Sequence, residues 1–520
     1  MKSDKLQNAI GMVDSDLVKR AENFTKKRRK HIKWIMPVAA ALVIVILTGV
    51  IFSGGFRGVY TGNDLQPTGE NFTQPTIIPD ITIAEKEGMI PAALKPYCLS
   101  APVYPERAEH PELVYTNLID KNDMETYRSA SKAWRSDKSE RFEYSGAGDN
   151  LYEFFKSTIS EFFKDTNDKN VVYSPLNVYM ALAMVAETAE GETRQQILDL
   201  LCAEDIDSLR TQVHDIWNYH FQDDGITTKK LANSLWLRDD MSYNEELMKT
   251  LSEYYYASSF KGEMGSADYD EALRAWINGE TGDFLKEQIS NLGLSPETVM
   301  ALVSTIYFKD AWSSDFNKNN TYKETFSAPD GEKQVDFMHE TADNETYYWG
   351  DKFSSIMRGF EGGGAMYFIR PDDGVEAVDL LSDDEVLSFI TSYSWSWKNK
   401  GNYKVNMSIP KFDISSSMGL VEGLKNLGVS DCFYPETSDF CVSSSEAQND
   451  NIYVSDIQHS ARVKIDEEGG EAAAVTITTY GAAMAPPPTE EIDFVLDKPF
   501  IFVITSGDGL PLFVGIVNNP

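Results

Sequence analysis

Histidine and cysteine are scarce in this chain. Six histidines and four cysteines are spread over 520 residues, and no histidine falls in an HExxH arrangement that would hold zinc. Cys98, Cys202, Cys432 and Cys441 make no CxxC pair and have no close histidine partner, so a zinc site is not expected. In an oxidising compartment they could pair, in any of three connectivities between which the sequence does not choose. Positive charge is short as well. Lys and Arg number 47 against 81 Asp and Glu, a formal net charge of −34, which argues against a phosphate-binding surface and hence against nucleic acid. There is no GxSxG elbow and no Walker-type loop, and "SGAGDN" at 145–150 lacks the last glycine and the preceding strand of a dinucleotide site. Gly362-Gly363-Gly364 reads as a hairpin turn. Carboxylates abound, yet no pair is singled out for acid–base work. An enzyme is not expected, and neither a cofactor nor a metal.

Charge is missing altogether from residues 34–52, "WIMPVAAALVIVILTGVIF". As a helix this run would span about 28 Å, close to a bilayer core. The cluster Lys26-Lys27-Arg28-Arg29-Lys30-His31 lies just before it and reads as a positive-inside flank. The expectation is a single-pass protein of the cell membrane, with residues 1–33 a cytoplasmic basic and amphipathic segment, 34–52 a transmembrane helix, and the remainder outside. A cleavable signal peptide competes with this reading, although its charged region would be unusually long and only Ser53 and Gly55 offer a small-residue cleavage site.

Residues 53–91 are rich in Gly, Pro, Thr and Asn and read as a flexible extracellular linker. Residues 92–148 form an N-terminal extension in which "DMETYRSASKAWRSDKSERFEY" suits a helix. From 149 to 520 the pattern is that of one large α+β domain. It begins with Leu151, Phe154, Phe155, Ile159, Phe162 and Phe163 on one helical face and ends in "PFIFVITSGDGLPLFVGIVNNP", two buried strands around Gly507-Asp508-Gly509. His459 lies in the strand-like "NIYVSDIQHSARVKI", where a lone histidine is more often a satisfied core group than a base.

One segment has unusual chemistry for its place. "DEEGGEAAAVTITTYGAAMAPPPTEEIDF", residues 466–494, starts as a loop and ends in three prolines, which no central strand tolerates. Between them, Ala472 to Ala485 carries no charge and no proline and is competent to be a buried strand.

From residue 149 onward the chain resembles the serpins, the protease inhibitors that trap their targets by a conformational change. The resemblance is carried, in the family's order, by "NVVYSPLNVYMALAMVAETAEGETRQQI" (170–197), "LANSLWLRDD" (231–240), "LVSTIYFKDAW" (302–312), "IPKFDI" (409–414), "IYVSDIQHSARVKIDEEGGEAAAVT" (452–476) and "FVLDKPFIFVI…PLFVGIVNNP" (494–520). Trp312, Phe316, Thr321 and Phe326 repeat its spacing. The resemblance implies a multi-helix domain with three β-sheets and an exposed reactive-centre loop. A membrane-anchored, bacterial-type member is the expectation.

It also implies the site. The loop hinge falls on Glu467, Gly469, Gly470, Glu471, Ala472, Ala473, Ala474 and Thr476, and the family's hinge-to-bond spacing puts the reactive bond at Ala483–Met484, with Ala482 and Ala485 as flanking candidates. After cleavage the loop would enter the central sheet with Gly470, Ala472, Ala474, Thr476, Thr478 and Tyr480 facing the core. None of these is charged, none is proline, and the first three are small. Lys411 and Glu467 match the pair at the top of the sheet, near Trp312. Ser174 and His459 match the buried polar cluster that governs its parting, and for Trp312 and Phe412 a plain core role is an equal reading. Two departures mark the sequence: Ser304 stands where the cluster usually has Asn, and Asn177 where Ser is common, so the network must be rewired. Gly470 replaces a small hydroxylated or branched residue and adds about 0.5–1 kcal/mol of ordering cost.

The bait limits the partner. No Lys or Arg occurs from Ala472 to Asp497, so a trypsin-like pocket would be left unpaired, whereas Ala482, Ala483, Met484 and Ala485 suit a serine protease with a small apolar pocket, elastase-like or subtilisin-like. The function expected is suicide-substrate inhibition through a covalent complex. The alternative is a non-inhibitory serpin that acts as a binding protein.

Overall fold

The α+β pattern resolves into two large sheets and the helices that cover them. The computed structural model describes residues 38–49, 91–102, 104–111, 121–164, 166, 168–391, 396–445, 452–467 and 490–520. Its strands, in chain order, begin with β1 (Val38–Gly49), β2 (Cys98–Ser100), β3 (Val171–Tyr173), β4 (Gln222–Asp223), β5 (Thr228–Arg238) and β6 (Ala257–Gly262). They continue with β7 (Thr298–Lys309), β8 (Thr321–Ala328), β9 (Gly331–Trp349), β10 (Phe353–Gly359), β11 (Ala365–Pro371) and β12 (Lys400–Pro410). The last are β13 (Phe412–Gly419), β14 (Ile452–Ile465), β15 (Glu491–Val495), β16 (Phe500–Thr505) and β17 (Pro511–Val517). The longer helices are α1 (Lys121–Phe142), α2 (Tyr152–Phe163), α3 (Pro175–Thr188), α4 (Gly191–Leu200), α5 (Ile206–His220), α6 (Glu245–Tyr255) and α7 (Ala267–Glu280).

The central sheet runs β13-β14-β1-β7-β5-β6-β2, with β4 paired to β5. One face packs on the main core, which includes α2 and the wholly buried α3. The other is covered by α7, whose Tyr269, Leu273, Trp276 and Ile277 meet Ala232, Trp236, Ala301 and Val303. The Ser266 hydroxyl caps α7 by accepting from the Tyr269 amide. As the hydrophobic stripe predicts, α2 buries Phe154, Phe155, Ile159 and Phe163. The C-terminal hairpin β16–β17 turns at Gly507-Asp508-Gly509, with Gly509 at φ 86°, and β10–β11 turns at the three glycines, with Gly363 at φ 89°.

Two expectations need correction. Residues 38–49, the centre of the expected transmembrane helix, are a β-strand, and among the described residues no helix is long and apolar enough to cross a membrane. The reason is compositional: Val43, Ile44, Val45 and Ile46 are branched at Cβ, and a continuous apolar run suits a strand buried on both faces as well as it suits a bilayer. The expected third sheet is hydrogen-bonded to the second, giving the path β15-β12-β9-β10-β11-β16-β17-β3 with β8 on β9. Among the described residues the two halves join only where Tyr347–Trp349 of the long β9 meet Ser354–Ile356 of β10, so the third sheet is still visible as β15-β12-β9-β8. The extension, residues 92–148, packs on the domain that follows it. Its β2 pairs with β6, the Trp134 indole donates to the Asp224 carboxylate at 2.9 Å, and Arg107 lies against Phe221, with Nε donating to its carbonyl at 3.2 Å. The expected segment 1–33 lies outside the described residues, as does the linker to residue 90. All four cysteines are free thiols, with Cys432 buried and Cys202 exposed.

The mouth of the central sheet as candidate functional site

β14 ends at Ile465, and the two acids that follow it are held in place by residues from other strands. The Trp312 indole, just beyond β7, donates to the Asp466 carbonyl at 3.1 Å. The same ring is 2% exposed and stacks on Phe360 with centroids 4.8 Å apart, so Trp312 is both a core residue and a fastener of the strand end. Lys411, between β12 and β13, places Nζ 2.6 Å from the Glu467 carboxylate. Burial alone would raise the Glu467 carboxyl. Hydrogen bonds from Lys411, Thr321 and the backbone, with the charge of Lys411, together outweigh it and hold the group below its ordinary value. Phe412 is buried against Phe500 and Phe502 and is plain core.

Asp466 was not singled out by sequence reasoning, and only its burial distinguishes it. That burial pushes its carboxyl up to about 6 against the pull of Lys411. An acid raised on folding contributes stability that is fully present below its unfolded value, about 4, and lost as pH rises through about 6. Asp466→Asn is therefore expected to unfold at higher denaturant than the parent at pH 7 and to coincide with it at pH 4. Parallel curves across that range would refute the assignment.

Deeper in the sheet, Ser174 and His459 are in contact. The Ser174 amide donates to His459 Nε2 at 3.1 Å, and the Ser174 hydroxyl donates to the Leu512 carbonyl at 2.6 Å. Burial holds the His459 imidazole down to about 3, against an opposing pull from the Leu42 backbone, and the ring is neutral. The rewiring expected of Asn177 and Ser304 takes the form of a reciprocal pair: the Ser304 hydroxyl donates to Asn177 Oδ1 at 2.8 Å, and Asn177 Nδ2 donates to the Ser304 carbonyl at 3.3 Å.

Between β14 and β7 lies β1. It is antiparallel to both, from Val38 beside Lys464 and Lys309 at the mouth to Gly49 beside Ile452 at the far end. Val43, Val45 and Leu47 enter the main core, while Leu42 and Ile44 enter the layer beneath α7. The expected loop residues Gly469, Gly470, Glu471, Ala472, Ala473, Ala474, Thr476, Ala482, Ala483, Met484 and Ala485 lie outside the described residues. Of the expected site, the structure brings together Trp312, Lys411 and Glu467 at the mouth, and Ser174 with His459 behind it. Sequence reasoning also missed a buried pair directly before Trp312. Asp310 accepts from Thr227, Ala311 and Gly362 at 2.9–3.0 Å, with Lys229 3.9 Å away, and burial lifts its carboxyl to about 6. An acid inside "FKDAW" gave no sign of it.

A profile of the family described as serpin (serine protease inhibitor) matches residues 150–520. The chain is a serpin. Its serpin relatives include an uncharacterised serpin-like protein of Thermococcus kodakarensis, 30% identical over 68% of this chain and 82% of the relative, and mouse neuroserpin, 26% identical over 71% and 89%. Among solved structures, the fold is similar to the thermophilic serpin tengpin in its native state (TM-score 0.60, 24% identity, 71% of this chain and 94% of that one). It is equally similar to the Arabidopsis serpin AtSerpin1 in its native stressed conformation (TM-score 0.60, 26% identity, 71% and 98%). Serpins are generally protease inhibitors rather than enzymes, and the partners the family implies are proteases.

Proposed function

We propose that this serpin is a suicide-substrate inhibitor of serine proteases with a small apolar specificity pocket, elastase-like or subtilisin-like. The protease serine attacks the carbonyl of Ala483, Met484 leaves as a new N-terminus, and the acyl-enzyme persists because the freed loop enters the central sheet. The observation that carries the reading is the mouth. Asp466 and Glu467, which lead into the loop, are tied to Trp312 and Lys411 at the end of β14, where an entering strand must start. Alternating small or hydroxylated residues after Gly470 are suited to a core-facing row. Roughly a dozen new backbone hydrogen bonds at about 1 kcal/mol net each would supply on the order of 10 kcal/mol to hold a distorted protease.

Location belongs to the same proposal. The uncharged run 34–52 and the basic cluster before it support a single-pass anchor in the cell membrane with a cytoplasmic N-terminus and the serpin domain outside. The second reading, a non-inhibitory binding serpin, is favoured by one observation: the place between β7 and β14 is already filled by β1. Incubating the vesicle-bound full chain with an elastase, a subtilisin and trypsin, followed by denaturing gels and mass spectrometry, decides between them. A covalent adduct with elastase or subtilisin and a released peptide beginning at Met484 are expected. Loop cleavage with every protease left active would refute trapping.

A further inference from the structure

We propose that β1 is a built-in plug of the central sheet, and that a lipid bilayer is the partner that draws it out. The inference rests on the reading above, that the chain after Glu467 is what enters the sheet. All twelve residues of β1 pair with β14, and eleven of them pair with β7. Its direction is the one that any segment turning back from the end of β14 must take, antiparallel to that strand. Its first residue sits at the mouth that Trp312 and Lys411 frame. The gap therefore has room for one strand and already has it. The edges of β7 and β14 that face the gap spend their backbone donors and acceptors on β1, and its Leu42, Val43, Ile44, Val45 and Leu47 complete the packing on both faces of the sheet.

The same residues form the middle of the chain's uncharged run, with cations at 26–31 before it. Such a segment has two environments in which every backbone group is paired without water: a closed position inside a sheet, or a helix across a bilayer. It cannot be in both. Transfer of residues 34–52 to a membrane takes β1 out of the sheet and frees the edges of β7 and β14. Away from membrane the plug stays seated and the inhibitor is unarmed, so trapping is confined to the surface to which the chain is attached.

Paired cysteines test this. Val45 lies opposite Leu302 across the β1–β7 ladder, and both side chains belong to the main core, so V45C/L302C places two thiols at a spacing a disulfide accepts. S234C/V303C, a β5–β7 pair, reports an intact sheet whatever β1 does. The full chain is made by cell-free synthesis with and without phosphatidylcholine–phosphatidylglycerol vesicles, oxidised mildly, and mapped by mass spectrometry. In buffer both linked peptides are expected. On vesicles the 45–302 link should fall about tenfold or more while the 234–303 link is unchanged. Absence of the 45–302 link in buffer while 234–303 forms would overturn the plug, and so would an undiminished 45–302 link in chains that float with the vesicles. If the links behave as expected but neither preparation forms an adduct with elastase or subtilisin, the plug stands and the protease-trap reading falls.

Discussion

Ala474→Arg is expected to turn the vesicle-bound inhibitor into a substrate, lowering the yield of covalent adduct about a hundredfold or more while loop cleavage continues. The reason is where the side chain goes. Counting by twos from Gly470 puts residue 474 in the core-facing row of an inserting strand. The corresponding row of the gap is lined by Ile306, Ser304 and Leu302 on one side and by Ala461, His459 and Ile457 on the other, all buried and none of them an anion. A guanidinium there has no partner, and a penalty of several kcal/mol exceeds the roughly 2.7 kcal/mol that a hundredfold partition requires. The partition is read as adduct against cleaved inhibitor on the same gel, and equal adduct from Ala474→Arg and the parent would rule out insertion.

Trp312→Ala should be the most destabilising single change at the mouth. It removes a fully packed ring stacked on Phe360, for which a loss of about 3–5 kcal/mol is usual, together with the bond to the Asp466 carbonyl. Trp312→Phe keeps an aromatic ring against Phe360 but forfeits the indole donor and part of the buried ring volume, a smaller loss of about 1–3 kcal/mol. Equilibrium denaturation of the three proteins gives the comparison. If the Phe and Ala variants were equally unstable, the indole bond and not the ring would be the dominant contribution.

Much of the fold can be read directly along the chain. The aromatic face of α2, the C-terminal hairpin and the three-glycine turn each follow from local periodicity or turn chemistry, which neighbours in sequence suffice to express. The serpin motifs likewise place β5, β7, β12 and β14 without reference to the rest. The Trp312–Asp466 contact spans 154 residues, and the raised carboxyls of Asp466 and Asp310 depend on which strands bury them. Nothing local could disclose either one. The Asn177–Ser304 exchange is an intermediate case, since the swapped residue types announce a rewired network but its geometry appears only once α3 meets β7.

The sharpest division falls on residues 38–49. By itself the sequence determined that "VAAALVIVILTG" must be kept from water, because twelve residues without charge and rich in branched side chains have no polar face to present. It did not determine whether the shelter is a bilayer or a protein interior, since a helix in lipid and a strand buried on both faces demand the same composition. Only the tertiary structure decides that, by bringing the edges of β7 and β14, separated by some 150 residues of chain, to either side of a gap one strand wide.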